Sequence, residues 1–83
     1  MNANVEKAKT ILRIFFDLPS DLAPGELRRE ASSALNNASS GEYTRENLKF
    51  QLAQMLVNRW GQPLDNDACD KAAGALLELA SRG

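Results

Sequence analysis

The segment from residue 43 to residue 61 constrains the fold more than any other part of the chain, because its apolar residues recur at helical spacing over a wide arc. Thr44 can cap the start of a helix with its hydroxyl, and Gly61 can end one in a left-handed conformation, so we predict a helix over residues 44–60. The apolar residues form two adjacent stripes: Leu48, Leu52, Met55 and Leu56 in one, and Phe50, Ala53, Val57 and Trp60 in the other. A helix this apolar is central to its fold or is partly covered by a partner.

Uncharged amides occupy the remaining narrow face of this helix. They are Asn47, Gln51, Gln54 and Asn58. One interpretation of this strip is a solvated face without a binding role. It can also supply directed hydrogen bonds to a partner, since amides cost less to desolvate than charges. Trp60 has the same two interpretations, as a core residue or as an interface anchor.

Apolar periodicity predicts three further helices, over residues 4–18, 24–38 and 65–82. The second has a narrow apolar stripe, and its many Ser and Asn residues compete with helix formation, so we expect it to be the least stable element. A mobile loop is predicted at residues 36–41. The last helix carries small residues in its first half, which allow a neighbouring helix to approach closely.

Capping residues and prolines predict where these helices begin and end. Asn2 or Asn4 is expected to cap the first helix, and Pro19 to end it. Asp65 or Asn66 is expected to cap the last helix. These boundaries depend on local chemistry and can be compared directly with the structure.

Composition and length indicate one small helical domain. A chain of 83 residues has room for a single domain with a modest core, and a hydrophobic content of 43% is too high for disorder. Leu, Ala and Met outweigh Val, Ile and Tyr, which favours helices over strands. We therefore predict an all-α fold over residues 1–83, a compact bundle of three to four helices. The helices at 4–18 and 44–60 are expected to pack together at its centre.

The sequence contains no motif for catalysis, metal binding or cofactor binding. Histidine is absent, which removes the commonest general base and most zinc sites. The single cysteine, Cys69, is interpreted as a small buried residue, and the glycines form neither a phosphate loop nor a dinucleotide fingerprint. The acidic run from Asp65 to Asp70 lacks the central Gly and terminal Glu of a calcium loop. We predict that the protein is not an enzyme and has no metal or cofactor.

Charge and cysteine usage bear on the compartment and on the class of partner. The formal net charge of −1 argues against a protein that mainly coats phosphate backbones. No apolar run is long enough to cross a membrane, and Arg13 interrupts the apolar stretch near the N-terminus. A lone cysteine suits a reducing compartment, so a cytoplasmic location is expected.

Besides a purely structural subunit of a larger assembly, two functions are compatible with these features. The first is a small regulatory or inhibitory protein that binds a partner protein's surface, with self-association into a homodimer as a compatible outcome. Its predicted binding residues are Gln51, Gln54, Asn58, Arg59 and Trp60. The alternative is a helix-turn-helix regulator that contacts DNA. Its predicted contact residues are Arg28, Arg29, Arg45 and Lys49.

Overall fold

Four helices account for most of the residues that the computed structural model describes, which are 3–16, 18 and 24–82. The helices are α1 (Ala3–Phe15), α2 (Pro24–Ser39), α3 (Arg45–Gln54, continued by a π-helical segment, Met55–Arg59) and α4 (Asn66–Arg82). These residues contain no strand, and the predicted all-α bundle is confirmed. Within the same residues, no helix combines the length and the apolar character needed to cross a membrane.

The fourth helix lies at the centre of the bundle. It packs more extensively than any other helix, against α1, α2 and α3; α2 also touches all three other helices, whereas α1 and α3 are not among the helix pairs in close contact. The prediction that the first and third helices form the centre is therefore wrong. The small side chains of α4 explain its position, since they let three neighbours approach the helix backbone. Those buried in its first half are Ala68, Cys69, Ala72 and Ala73.

Local chemistry fixes the ends of the third and fourth helices as predicted. The Thr44 hydroxyl accepts a hydrogen bond of 3.1 Å from the Asn47 N–H, and the Asp65 carboxylate accepts one of 3.0 Å from the Ala68 N–H. Each bond satisfies an amide that the first turn leaves unpaired. Gly61 has φ of +62°, the left-handed conformation that a glycine adopts without a Cβ clash.

The first helix differs from its prediction at both ends. Asn4 lies inside the first turn and does not cap the helix, while Asn2 and Pro19 lie outside the described residues. The helix was expected to reach Leu18 but ends at Phe15. A residue that precedes proline disfavours the helical conformation, which accounts for an end before Leu18.

The second helix is longer than predicted, because part of the expected loop at 36–41 is helical through Ser39. Tertiary contacts override the local preference of Ser and Asn in this stretch. Ala38 is buried, and the Asn37 side chain donates a hydrogen bond of 2.8 Å to the Gln51 side chain of α3. The connection to α3 is therefore short.

A π-turn near the end of α3 changes which residues enter the core. The Trp60 N–H bonds the carbonyl oxygen of Met55, five residues back, at 3.3 Å. A π-turn takes up one residue more than an α-turn, so the residues beyond it are rotated by about 100°. In an unbroken α-helix Arg59 would continue the core stripe of Leu48 and Leu52. The rotation instead buries Trp60 there and leaves Arg59 exposed.

Candidate protein-binding surface

The exposed side of α3 carries an apolar pair beside two amides. Phe50 is 64% exposed and Val57 is 41% exposed, and the two lie seven positions apart on the same side of the helix. Gln54 and Asn58 lie next to them and are exposed as well. We call Phe50, Gln54, Val57 and Asn58 the outer face. It is the part of the third helix on which the bundle leaves large apolar side chains uncovered.

The two apolar stripes predicted for this helix have different environments. All members of the first stripe are buried: Leu48, Leu52, Met55 and Leu56. The second stripe is divided, because Trp60 is buried whereas Phe50 and Val57 are exposed. The expectation that Phe50 and Trp60 share one face is thus wrong, and the π-turn between them is the reason.

A shallow groove of about 480 Å³ runs between α2 and α3, beside the outer face. Its lining residues are Arg29, Glu30, Ser33, Gln51, Gln54, Met55, Asn58 and Arg59. We call it the α2–α3 groove. It brings together Gln51, Gln54, Asn58 and Arg59, four of the five residues predicted to bind a partner protein.

Two of these four side chains already bind other parts of the chain. The Gln51 amide oxygen accepts the hydrogen bond from Asn37, and the Arg59 guanidinium forms an ion pair of 3.3 Å with Glu30. The Glu30 side chain is only 12% exposed, so Arg59 compensates a largely buried charge. Gln54, in contrast, makes no side-chain hydrogen bond within the described residues and is available to a partner.

Trp60, the fifth predicted residue, belongs to the core and not to the surface. Its indole N–H is buried and has no acceptor among the described residues. Leaving such a donor unpaired costs roughly 1–3 kcal/mol, which the burial of a large aromatic ring offsets. Trp60 therefore contributes to the core and not to the candidate surface.

Most of the basic residues predicted to contact DNA are paired with carboxylates. Arg28 lies 3.1 Å from Glu6 of α1, and Arg45 donates two hydrogen bonds of 3.1 Å to Asp70 of α4. Lys49 forms an ion pair of 3.2 Å within α3. These contacts tie three of the four cations to neighbouring acids.

The same four basic residues also lie in two separate places. The Asn37–Gln51 hydrogen bond and the Glu30–Arg59 ion pair show that α2 and α3 run alongside each other in opposite directions. The basic residues of α2 therefore lie near the end of α3, whereas those of α3 lie near its start, roughly 20 Å away at 1.5 Å per residue. The fold does not bring them together into one basic patch.

Besides Met55 of α3, three groove residues were not assigned to this surface from the sequence: Arg29, Glu30 and Ser33. They come from α2, and their place opposite the amides of α3 depends on the register in which the two helices pack. No local motif encodes that register. The burial of Trp60 in place of Arg59 likewise depends on the π-turn, whereas the amide strip followed directly from helical spacing.

Reactive or metal-binding chemistry has no evident place on this surface. Cys69 is buried in α4, and burial, assisted by the nearby Asp65 carboxylate, raises the pKa of its thiol. Within the described residues, no group of acidic and cysteine side chains is placed to hold a metal ion.

No protein-family model, curated protein or solved structure matches the chain.

Proposed function

We propose that the protein is a small cytoplasmic regulator or inhibitor that acts without catalysis, by binding to the surface of a partner protein. The observation that carries this proposal is the joint exposure of Phe50 and Val57 beside the amides of Gln54 and Asn58. Exposed apolar groups rimmed by polar ones are typical of protein-binding surfaces.

The outer face supplies both affinity and selectivity. Complete burial of the Phe50 side chain in a partner would contribute roughly 1.5–3 kcal/mol. An amide that loses water on binding must find a hydrogen-bond partner, so Gln54 and Asn58 would reject surfaces that lack matching groups. The same face of a second copy is one surface that could fit, which makes a homodimer a possible form of this interaction.

Affinity capture with matched variants tests the proposal. The tagged protein, its Phe50→Glu variant and its Ile14→Glu variant are incubated with lysate of the native cells, once with and once without nuclease treatment. Ile14 is 69% exposed on α1, so the control places the same charge at a similarly exposed apolar position away from the outer face. We expect a stoichiometric protein with the wild type and with Ile14→Glu, and its loss with Phe50→Glu.

The alternatives give different results in the same experiment. Equal capture by all three proteins would reject the outer face as the binding surface. Co-purified material that disappears on nuclease treatment would favour the DNA-binding alternative. Light scattering of the eluate would identify a homodimer, which Phe50→Glu should dissociate and Ile14→Glu should not.

A further inference from the structure

Arg29 is the basic residue of the α2–α3 groove that forms no ion pair within the described residues. Seven of the ten basic residues form ion pairs with carboxylates. Arg29 is exposed in the α2–α3 groove and forms none there. On the far side of the groove, Arg59 is neutralised by Glu30. The groove therefore carries one uncompensated positive charge, and it lies at Arg29.

The groups around Arg29 suit a carboxylate. An arginine side chain can donate two parallel hydrogen bonds to the two oxygens of a carboxylate. The amides of Gln54 and Asn58 and the hydroxyl of Ser33 line the same groove and can donate further hydrogen bonds. A phosphate group fits less well, because Glu30 adds a negative charge and leaves the groove with a net charge of only +1.

We propose that the α2–α3 groove binds an acidic side chain of the partner protein, with its carboxylate paired to Arg29 and an adjacent apolar side chain packed on Phe50. The groove and the outer face share Gln54 and Asn58, so one continuous segment of a partner can reach both. This inference rests on the proposed function, and it defines the partner's contact segment as acidic and apolar. The positive charge of Arg29 selects this acidic segment by charge complementarity.

Peptide titrations followed by amide NMR test the inference. The probes are an end-blocked peptide of Glu and Leu residues, its isosteric counterpart with Gln in place of Glu, and inorganic phosphate. We expect the Glu peptide to shift the side-chain amide signals of Gln54 and Asn58 in a saturable manner, with at least tenfold higher affinity than the Gln peptide or phosphate. Arg29→Gln should remove that tenfold preference.

Arg28→Gln is the matched control, because it removes the same charge at the adjacent position from a side chain that pairs with Glu6. We expect it to change the affinity for the Glu peptide by less than twofold. Both arginines are exposed, so the thermal midpoints of the variants should stay close to that of the wild type. That measurement separates a loss of binding from a loss of folding.

Several results would overturn the inference. These are a failure of the Glu peptide to bind, equal binding of both peptides, tighter binding of phosphate, or an equal effect of the two arginine substitutions. A failure of this inference can be distinguished from a failure of the proposed function. If a partner is captured by Arg29→Gln but not by Phe50→Glu, the outer face is a binding surface and only the carboxylate site is rejected.

Discussion

Replacement of Gly74 by alanine tests how the side chain of Arg45 is held against the central helix. A Cβ atom on Gly74 would lie 2.8 Å from Arg45 Cζ and 2.9 Å from Arg45 Nη2, too close for either contact. Asp70, one turn earlier in α4, holds the guanidinium there with two hydrogen bonds of 3.1 Å. The Arg45 side chain is 53% exposed, so it can move into solvent. The added methyl group should therefore displace the guanidinium and not the helix.

The net change in stability follows from two opposing contributions. Alanine stabilises the interior of a helix by about 1 kcal/mol relative to glycine. An exposed ion pair contributes roughly 0.2–1 kcal/mol, which is the most that displacing the Arg45 guanidinium from Asp70 would cost. We therefore expect Gly74→Ala to raise the free energy of unfolding by between about 0 and 0.8 kcal/mol. In an Arg45→Ala background the full gain of about 1 kcal/mol should appear.

Chemical denaturation of four proteins, followed by the fluorescence of Trp60, measures these changes. The proteins are the wild type, the two single variants and the double variant, which together form a double-mutant cycle. Equal effects of Gly74→Ala in both backgrounds would show that Arg45 does not lie against Gly74. A loss of more than about 1 kcal/mol in both backgrounds would show that neighbouring elements leave no room for a side chain at this position.

Two further predictions concern a helix cap and the buried thiol. Thr44→Ala should lower the free energy of unfolding by about 1 kcal/mol. Thr44→Ser should lower it by much less, because serine keeps the oxygen that accepts the hydrogen bond from the Asn47 N–H. Equal losses of the two variants in denaturation experiments would refute this capping role. Burial raises the pKa of Cys69 above its ordinary value of 9.0, so the native thiol should resist alkylation at pH 8. Its contribution to stability should also decline as the pH rises above 9.0, where the unfolded thiol ionises first, and Cys69→Ala should remove that decline.

Features set by neighbouring residues in the chain could be predicted from the sequence, and those set by helix packing could not. The caps at Thr44 and Asp65 and the left-handed Gly61 depend on short-range sterics and hydrogen bonds, and all three are confirmed. The central position of α4 depends on how closely three helices can approach its small side chains. The position of Arg29 opposite the amides of α3 depends on the packing register of two helices. Neither follows from the periodicity of one segment.

The residues at the end of α3 show why periodicity alone could not predict which of its side chains enter the core. A constant step of 100° per residue places Arg59 in the core stripe and Trp60 beside Phe50. Burying an unpaired guanidinium would cost several kcal/mol, whereas one π-turn removes that cost and buries a large aromatic ring instead. The same turn carries Arg59 to Glu30. The neutralised side of the groove therefore originates in the unfavourable placement of an arginine beside the only tryptophan in the chain.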